Sequence, residues 1–375
     1  MEHDLSFSPS SSTDGSSYKL MELPQDLCTL IEDSFDHKST PLSFSVKGQP
    51  GEDAVLCTSE KTYTMRSVVL SNSVLIVTPP PDALSTDFSD GAVVIRDQVN
   101  EIIELAPSVP KLYKLGGMLR GRDYDEHQED EDENEENENN NKFTYEEAKS
   151  QIQASDAELD HGLKVRHILN IRGELRPISP SYLARLLQLF LNLLVSLALS
   201  LDAAHVERLS SALADEHQIP RTVSTQIMSW FGDIKEGKWK VNIESVIKEV
   251  GLETLRRYKD EPIEKDILLA KWKGLVGDTY ECFVSLSLLS GNYLALPNDM
   301  NKLKYFPASS LPVDPAPRFA DLFLTRSRWK VEDISPFLAD IAINSKERDK
   351  LLLKFARGTT DAEGVWYTAR AQYNG

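Results

Sequence analysis

Cysteine is scarce: Cys28, Cys57 and Cys282 are the three present in 375 residues. They lie far apart and form no C-x-x-C, which argues against a disulfide framework or a zinc ribbon and fits a reducing compartment. Positive charge is in deficit as well. The 41 Lys and Arg face 59 Asp and Glu, a net charge of −18, so a generally basic nucleic-acid coat is excluded. Catalytic signatures are missing. GGMLRG (Gly116–Gly121) lacks the lysine of a phosphate loop, and neither G-x-S-x-G nor H-E-x-x-H occurs. The 7 histidines are scattered, with His161 and His167 six apart and His205 and His217 twelve apart. Neither spacing stacks one helical face for a metal, so no metal, cofactor or enzymatic activity is expected.

Long apolar runs are also rare. The one membrane-length candidate, Leu183–Leu201, contains Arg185, and Gln188, Asn192, Ser196 and Ser200 recur every four residues. That spacing paints a narrow polar stripe on a helix, the pattern of a mostly buried helix of a soluble chain.

What is present is organised by charge. Residues 1–115 carry net −9, residues 116–141 another −9, residues 142–317 net −2, and residues 318–375 net +2. Residues 1–18 are Ser-rich with acids in place of a basic leader, and read as a disordered tail, not a secretory signal. Asp123–Asn141 holds 11 acids and no Lys or Arg, so residues 116–142 are expected to be a solvated acidic, Asn-rich linker.

Between tail and linker, residues 19–115 read as β-rich. A helix at Gln25–Ser34 is followed by strand-like runs at Leu42–Gly48, Ala54–Pro79 and Gly91–Asp97. Short strands over about 100 residues suggest a small barrel or an open sheet. An open sheet has edges to be covered, and partner chains completing it is the natural solution.

After the linker the pattern turns helical with short hairpins, making the whole chain α+β. Lys238–Ile247 and Arg328–Leu338 share Trp-Lys-Val followed by an amphipathic start. In the later copy, helices at Pro315–Thr325, Ile334–Ile341 and Lys346–Ala356 surround a strand at Trp329–Val331, and Phe355–Arg370 reads as a hairpin. Helix–strand–helix–helix–hairpin is the order of a winged helix. Aligning the earlier copy on Trp-Lys-Val gives Thr222–Phe231 as its helix, Lys238–Val241 as its strand, Tyr293–Phe306 as its hairpin, and an added helix near Ile263–Leu275. Before it, Tyr145–Gln153, Asp156–Lys164 and a hairpin at His167–Ser179 suggest a further unit. Three tandem winged-helix-like units are therefore expected, at residues 143–219, 220–313 and 314–375.

The last unit holds the constellation with most chemical meaning. Lys346, Lys350 and Lys354 recur every four residues, Arg357 extends the row, and Leu351, Leu352 and Phe355 face the other way. This is a basic ridge about 16 Å long at 1.5 Å per residue. Arg326, Arg328 and Lys330 cluster near the preceding strand. These seven are the candidate DNA-binding residues, acting on phosphates by counterion release. Glu347 and Asp349 interleave, so an ordinary solvated helix face stays open. No Asn/Gln/Arg set stands out for reading bases. The tryptophans read as core anchors.

VLCTSEKTYTMRSVVLSNSVLIV (Val55–Val77), KYFPASSLPVDPAPRFADLF (Lys304–Phe323) and LLLKFAR (Leu351–Arg357) resemble the "defective in sister chromatid cohesion" family, over about Lys19–Arg370. That family is a non-ATPase subunit of the alternative replication-factor-C clamp loader. The resemblance implies a nuclear protein whose β region joins a small companion subunit and the tail of the large ATPase subunit in a joint β-barrel. It implies tandem winged helices, a complex that loads or unloads the PCNA clamp, contact with DNA polymerase epsilon, and support of cohesion. Family DNA contacts carry over only to Arg326, Arg328, Lys330, Lys346, Lys350 and Lys354. The competing reading is a protein–protein scaffold whose winged helices bind no DNA.

Overall fold

The computed structural model describes residues 5–7, 18–36, 42–78, 93–126, 142–296, 298–362 and 364–370. Most of the expected tail and residues 127 to 141 of the expected linker lie outside the described residues, but residues 116–126 are no solvated linker: Leu119 and Tyr124 are buried, and the Tyr124 N–H donates to Pro177 O at 2.7 Å. The chain divides into two compact units. One comprises Met1–Leu112 with Lys149–Leu159, the other Tyr113–Ala148 with Asp160–Gly375. The β-rich part is thus not closed at residue 115, because residues 149–159 belong with it.

The first unit contains β1 (Leu5–Phe7), β2 (Leu20–Glu22), α1 (Gln25–Asp36), β3 (Ser45–Lys47), β4 (Val55–Cys57), β5 (Thr62–Thr78) and β6 (Val93–Pro107). Strand β1 falls inside the stretch expected to be a disordered tail; it pairs in parallel with Val93–Ile95. The sheet order is β1-β6-β5-β4-β3, with β2 also on β6. Among the described residues it stays open and closes no barrel. β-Branched residues fill β5, whose antiparallel pairing with β6 shifts register between Val69 and Val74 and again between Ile76 and Val77. The ribbon is poorly covered: Val69, Val74, Leu75 and Val77 are all exposed.

Leu27 of α1 packs on Leu56, Tyr63 and Leu105. A polar cluster beside them fixes the helix. The Asp26 carboxylate accepts from Lys61 Nζ and Tyr63 Oη, both at 2.9 Å, and from the Leu27 N–H at 3.1 Å. The Lys61 contact holds the Asp26 carboxyl below its ordinary range, and burial together with Asp26 pushes the Tyr63 phenol up to about 12. A carboxylate depressed by folding stabilises above its unfolded pKa, and the benefit is lost as pH falls through the folded value. A raised phenol works oppositely: its contribution is present below the ordinary value near 10 and lost as pH climbs toward 12. We expect Asp26→Asn to flatten the acid limb of this unit's stability–pH curve, measured by urea unfolding followed with hydrogen exchange of α1. An acid limb identical to the parent's would contradict the assignment.

Residues 149–159 are latched by polar contacts. Gln153 Nε2 donates to Asp53 O at 2.6 Å, Lys47 Nζ donates to Ala154 O at 2.6 Å, and Thr62 Oγ1 donates to Glu158 Oε2 at 2.5 Å while accepting from Ser155 N at 2.9 Å. Gln153 and Ser155 are fully buried, and these bonds replace the water their donors lose on folding.

The chain continues with α2 (Lys114–Met118), α3 (Tyr145–Gln151), α4 (Asp156–Val165), a hairpin of β7 (Ile168–Ile171) and β8 (Glu174–Pro177), and α5 (Pro180–Ser196). Next come β9 (Ala204–His205), α6 (Val206–His217), α7 (Arg221–Trp230), β10 (Gly232–Lys235) and β11 (Lys238–Val241). Then follow α8 (Ile243–Arg256), β12 (Ile263–Glu264), α9 (Lys265–Val276), two 3-10 turns, β13 (Tyr293–Leu296) and β14 (Asp299–Tyr305). The last stretch holds α10 (Pro315–Thr325), β15 (Arg328–Lys330), α11 (Val331–Ile334), a 3-10 turn at Ser335–Leu338, α12 (Ser345–Phe355), β16 (Ala356–Asp361) and β17 (Gly364–Ala369).

Three stretches, 180–241, 243–305 and 315–369, repeat one scheme: helix, short strand, helical segments, hairpin. In each, the short strand pairs with the last strand, giving orders β10-β11-β9, β12-β14-β13 and β15-β17-β16. The repeat runs out of phase with the expected boundary at 220. The Trp-Lys-Val echo is the cause. Lys238–Val241 is the closing strand of its stretch, whereas Arg328–Lys330 is the opening strand of its own. Helix α9 is accordingly a regular member of the repeat, not an addition.

Helix α5 is the spine of the larger core, with Leu183, Leu186, Leu187, Phe190 and Leu194 buried and Arg185, Asn192 and Ser196 outside. No helix among the described residues is long and apolar enough to cross a membrane. Helix α8 meets α9 through Gly251: a Cβ there would fall 2.4 Å from the Trp272 ring. Trp272 in turn donates Nε1–H to Ile247 O at 2.9 Å. Any side chain at 251 must displace a buried indole, a cost of about 1–3 kcal/mol.

Candidate nucleic-acid interface

The terminal stretch has its own core, formed by Phe319, Leu322, Trp329, Ile334, Phe337, Leu338, Leu352 and Phe355. Phe319 stacks on Phe355 with ring centres 5.3 Å apart, and Trp329 meets Phe337 edge-on at 5.6 Å. Trp329 Nε1 donates to Leu322 O at 3.1 Å. Arg318 is fully buried and ties the loops around this core. Its guanidinium grips the Asp340 carboxylate with two nitrogens. It also donates to the carbonyls of Pro312 at 2.6 Å, Phe337 at 2.9 Å, Leu311 at 3.3 Å and Ala308 at 3.4 Å. A planar fork of five N–H groups suits this role, and no other side chain supplies it.

This core sets where the seven candidate residues stand. Asn344 caps α12 by accepting the Glu347 N–H at 3.0 Å, and the Glu347 carboxylate accepts the Ile343 N–H at 3.2 Å. With Leu352 and Phe355 turned inward, the 100° step per residue places Lys346, Lys350 and Lys354 on the outward side. All three are exposed. No ion pair among the described residues reaches them; Asp349 is held by Arg348 at 3.0 Å, and Lys354 leans over the Phe355 ring at 5.1 Å. Leu353, 68% exposed, lies within the same outward row.

Arg357 does not extend that row. The helix ends at Phe355, and Arg357 sits on β16 opposite Thr368. The ridge is therefore about 12 Å long, from Lys346 to Lys354. Arg328 and Lys330 lie on β15 opposite Thr368 and Trp366, so with Arg357 they share one face of the sheet. The other face carries Trp329 and Tyr367 into the core. The candidates thus fall into two groups on different elements: the lysine row on α12 and the three cations on the outer sheet face. Arg326 joins neither. It is half-buried, paired with Asp333 at 3.2 Å and resting over Trp329 at 5.5 Å.

Arg318 was not legible as a structural position, and the reading of the tryptophans as core anchors fails at Trp366, which is partly open on the sheet face away from the core. Arg318 looks like a surface cation next to prolines. Trp366 and Tyr367 are adjacent aromatics, so strand alternation alone does not say which one is buried. Pairing with Trp329 turns Tyr367 inward and leaves Trp366 outside.

A family described as "Sister chromatid cohesion protein Dcc1" matches residues 18–338, most of the chain but ending before α12. Relatives named "Sister chromatid cohesion protein DCC1" match over most of the chain. The Homo sapiens protein is 25% identical over 98% of this chain and 92% of its own length. That of Mus musculus is 27% identical over 95% and 88%. That of Saccharomyces cerevisiae is 24% identical over 91% and 93%. On this match the chain belongs to the Dcc1 family of sister chromatid cohesion proteins.

Proposed function

We propose that this chain is a non-catalytic subunit of an alternative replication-factor-C-like clamp loader, working in the nucleus during DNA replication, and that its terminal module is a winged helix that contacts DNA. In this reading the open sheet of the first unit is completed by a small companion subunit and the tail of the large ATPase subunit, which supplies ATP hydrolysis. The complex loads or unloads the PCNA clamp, contacts DNA polymerase epsilon and supports cohesion. The exposed apolar residues of the β5–β6 ribbon favour such docking, since uncovered strands invite pairing.

The observation that carries the DNA contact is the row Lys346, Lys350, Lys354: exposed, without an ion pair among the described residues, and set on the last helix before the hairpin. In a helix–strand–helix–helix–hairpin module this helix is the one that meets the groove. Three to four phosphate contacts give a slope of log K against log salt of about −3. Fluorescence anisotropy of the full chain with a labelled duplex, from low to physiological salt, measures it. A flat response, with stable co-purification of the companion subunits, would support the scaffold reading instead.

A further inference from the structure

Four described hydroxyl residues have a glutamate three places further on: Thr29, Thr144, Ser155 and Thr360. An acidophilic protein kinase reads that spacing, because its substrate cleft is basic where it meets the residues after the acceptor. Two of the four carry the same run, Ser155-Asp156-Ala157-Glu158 and Thr360-Asp361-Ala362-Glu363. The fold treats these two oppositely. Ser155 is fully buried and caps α4: its Oγ accepts the Glu158 N–H at 3.2 Å, and the Glu158 carboxylate accepts the Ser155 N–H at 3.0 Å. Thr144 is closed in the same way by Glu147, and Thr29 lies within α1 with its hydroxyl donated to Gln25 O at 3.0 Å. Thr360 stands near the end of β16, exposed and opposite Val365, one pair from the hairpin's last pair at Asp361 and Gly364. Among the described residues no hydrogen bond reaches its hydroxyl. The backbone there is extended, the form a kinase cleft accepts, and the tip of a hairpin opens at less cost than its base.

We infer that Thr360 is a phosphorylation site for an acidophilic serine/threonine kinase, and that the added phosphate weakens the terminal module's hold on DNA. In the transfer the Thr360 Oγ attacks the γ-phosphorus of ATP. The Oγ–P bond forms as the bond to ADP breaks, and the hydroxyl proton passes to the kinase's catalytic base. The product carries about two negative charges next to Asp361, on the hairpin that follows directly from the lysine helix α12. Charge of the same sign as the DNA backbone opposes the phosphate contacts of Lys346, Lys350 and Lys354. The site itself stands on the open hydroxyl and its acidic neighbours; its effect on DNA rests on the reading of α12 above.

The test incubates the full chain with an acidophilic serine/threonine kinase and magnesium ATP, and follows each phosphorylated residue by mass spectrometry. Ser155, with the same three residues after it, is the internal reference for what burial does. Thr360 is expected to take up phosphate at least about tenfold faster than Ser155, in keeping with the cost of opening a buried cap. Thr360→Ala is expected to lose that phosphate and to keep its parent's thermal unfolding. Anisotropy with a labelled duplex then compares the phosphorylated chain with the untreated one: a loss of about threefold or more is expected near 0.1 M salt, and none in kinase-treated Thr360→Ala. No phosphate on Thr360, or equal rates at Thr360 and Ser155, overturns the site. Phosphate on Thr360 with unchanged duplex affinity overturns its regulatory effect. An untreated chain that binds no duplex overturns the α12 reading and leaves the site standing on the mass-spectrometric result.

Discussion

Replacing Arg318 by Ala is expected to destabilise the terminal module by about 3–5 kcal/mol while leaving the larger core folded. The size follows from what the guanidinium holds. It satisfies carbonyls from two segments, Ala308–Pro312 and Phe337, and pairs the carboxylate of Asp340 in the turn after them. Without it these carbonyls lose their donor inside a closed core, and each unmet group costs about 1–3 kcal/mol. Lysine is no substitute, since one ammonium cannot reach partners spread around a plane. The damage stays local because Phe319, Trp329 and Leu352 form a cluster separate from the core built on α5 and α8. Native-state hydrogen exchange reads this directly. Amides of α10 and α12 should lose protection in Arg318→Ala and in Arg318→Lys, and amides of α5 and α8 should keep theirs. Uniform loss across all four helices would show one cooperative unit instead.

Charge reversal of Lys346, Lys350 and Lys354 to Glu should reduce duplex affinity by at least about tenfold near 0.1 M salt and flatten the salt slope by about three. The three side chains are outside the core and pair with no acid among the described residues, so each change should move stability by no more than about 0.5 kcal/mol. The matched control is Arg326→Glu: that cation is already neutralised by Asp333 and half-buried against Trp329, so it should cost stability more than DNA affinity. Anisotropy with duplex DNA, alongside thermal unfolding of the same variants, separates the two effects. Equal duplex affinity in the triple variant and the parent would remove α12 from the DNA contact.

Periodicity carried most of the fold. The i, i+4 lysines, the polar stripe of α5 and the Asn344 cap are local signals, and local signals survive folding unchanged. What depended on partners was lost. Strand β6 continues past the expected end at Asp97 to Pro107, through Gln98, Asn100 and Glu101, polar residues whose strand character shows only in their pairing with β5. Strand β9 is two residues long, too short for any alternation to show, and so the repeat was phased on a tryptophan motif that occurs in non-equivalent strands. The site divided along the same line. The helix row was readable, but Arg357, Arg328 and Lys330 met Trp366 only through cross-strand register, which depends on the hairpin closing at Asp361 and Gly364.

Lysine acetylation of the full chain, with and without saturating duplex DNA and read residue by residue by mass spectrometry, tests the central claim most directly. DNA should shield Lys346, Lys350 and Lys354 strongly while exposed lysines on the first unit, such as Lys19 and Lys61, react as before. Full reactivity of the three α12 lysines in the DNA-bound state, with protection elsewhere, would contradict it.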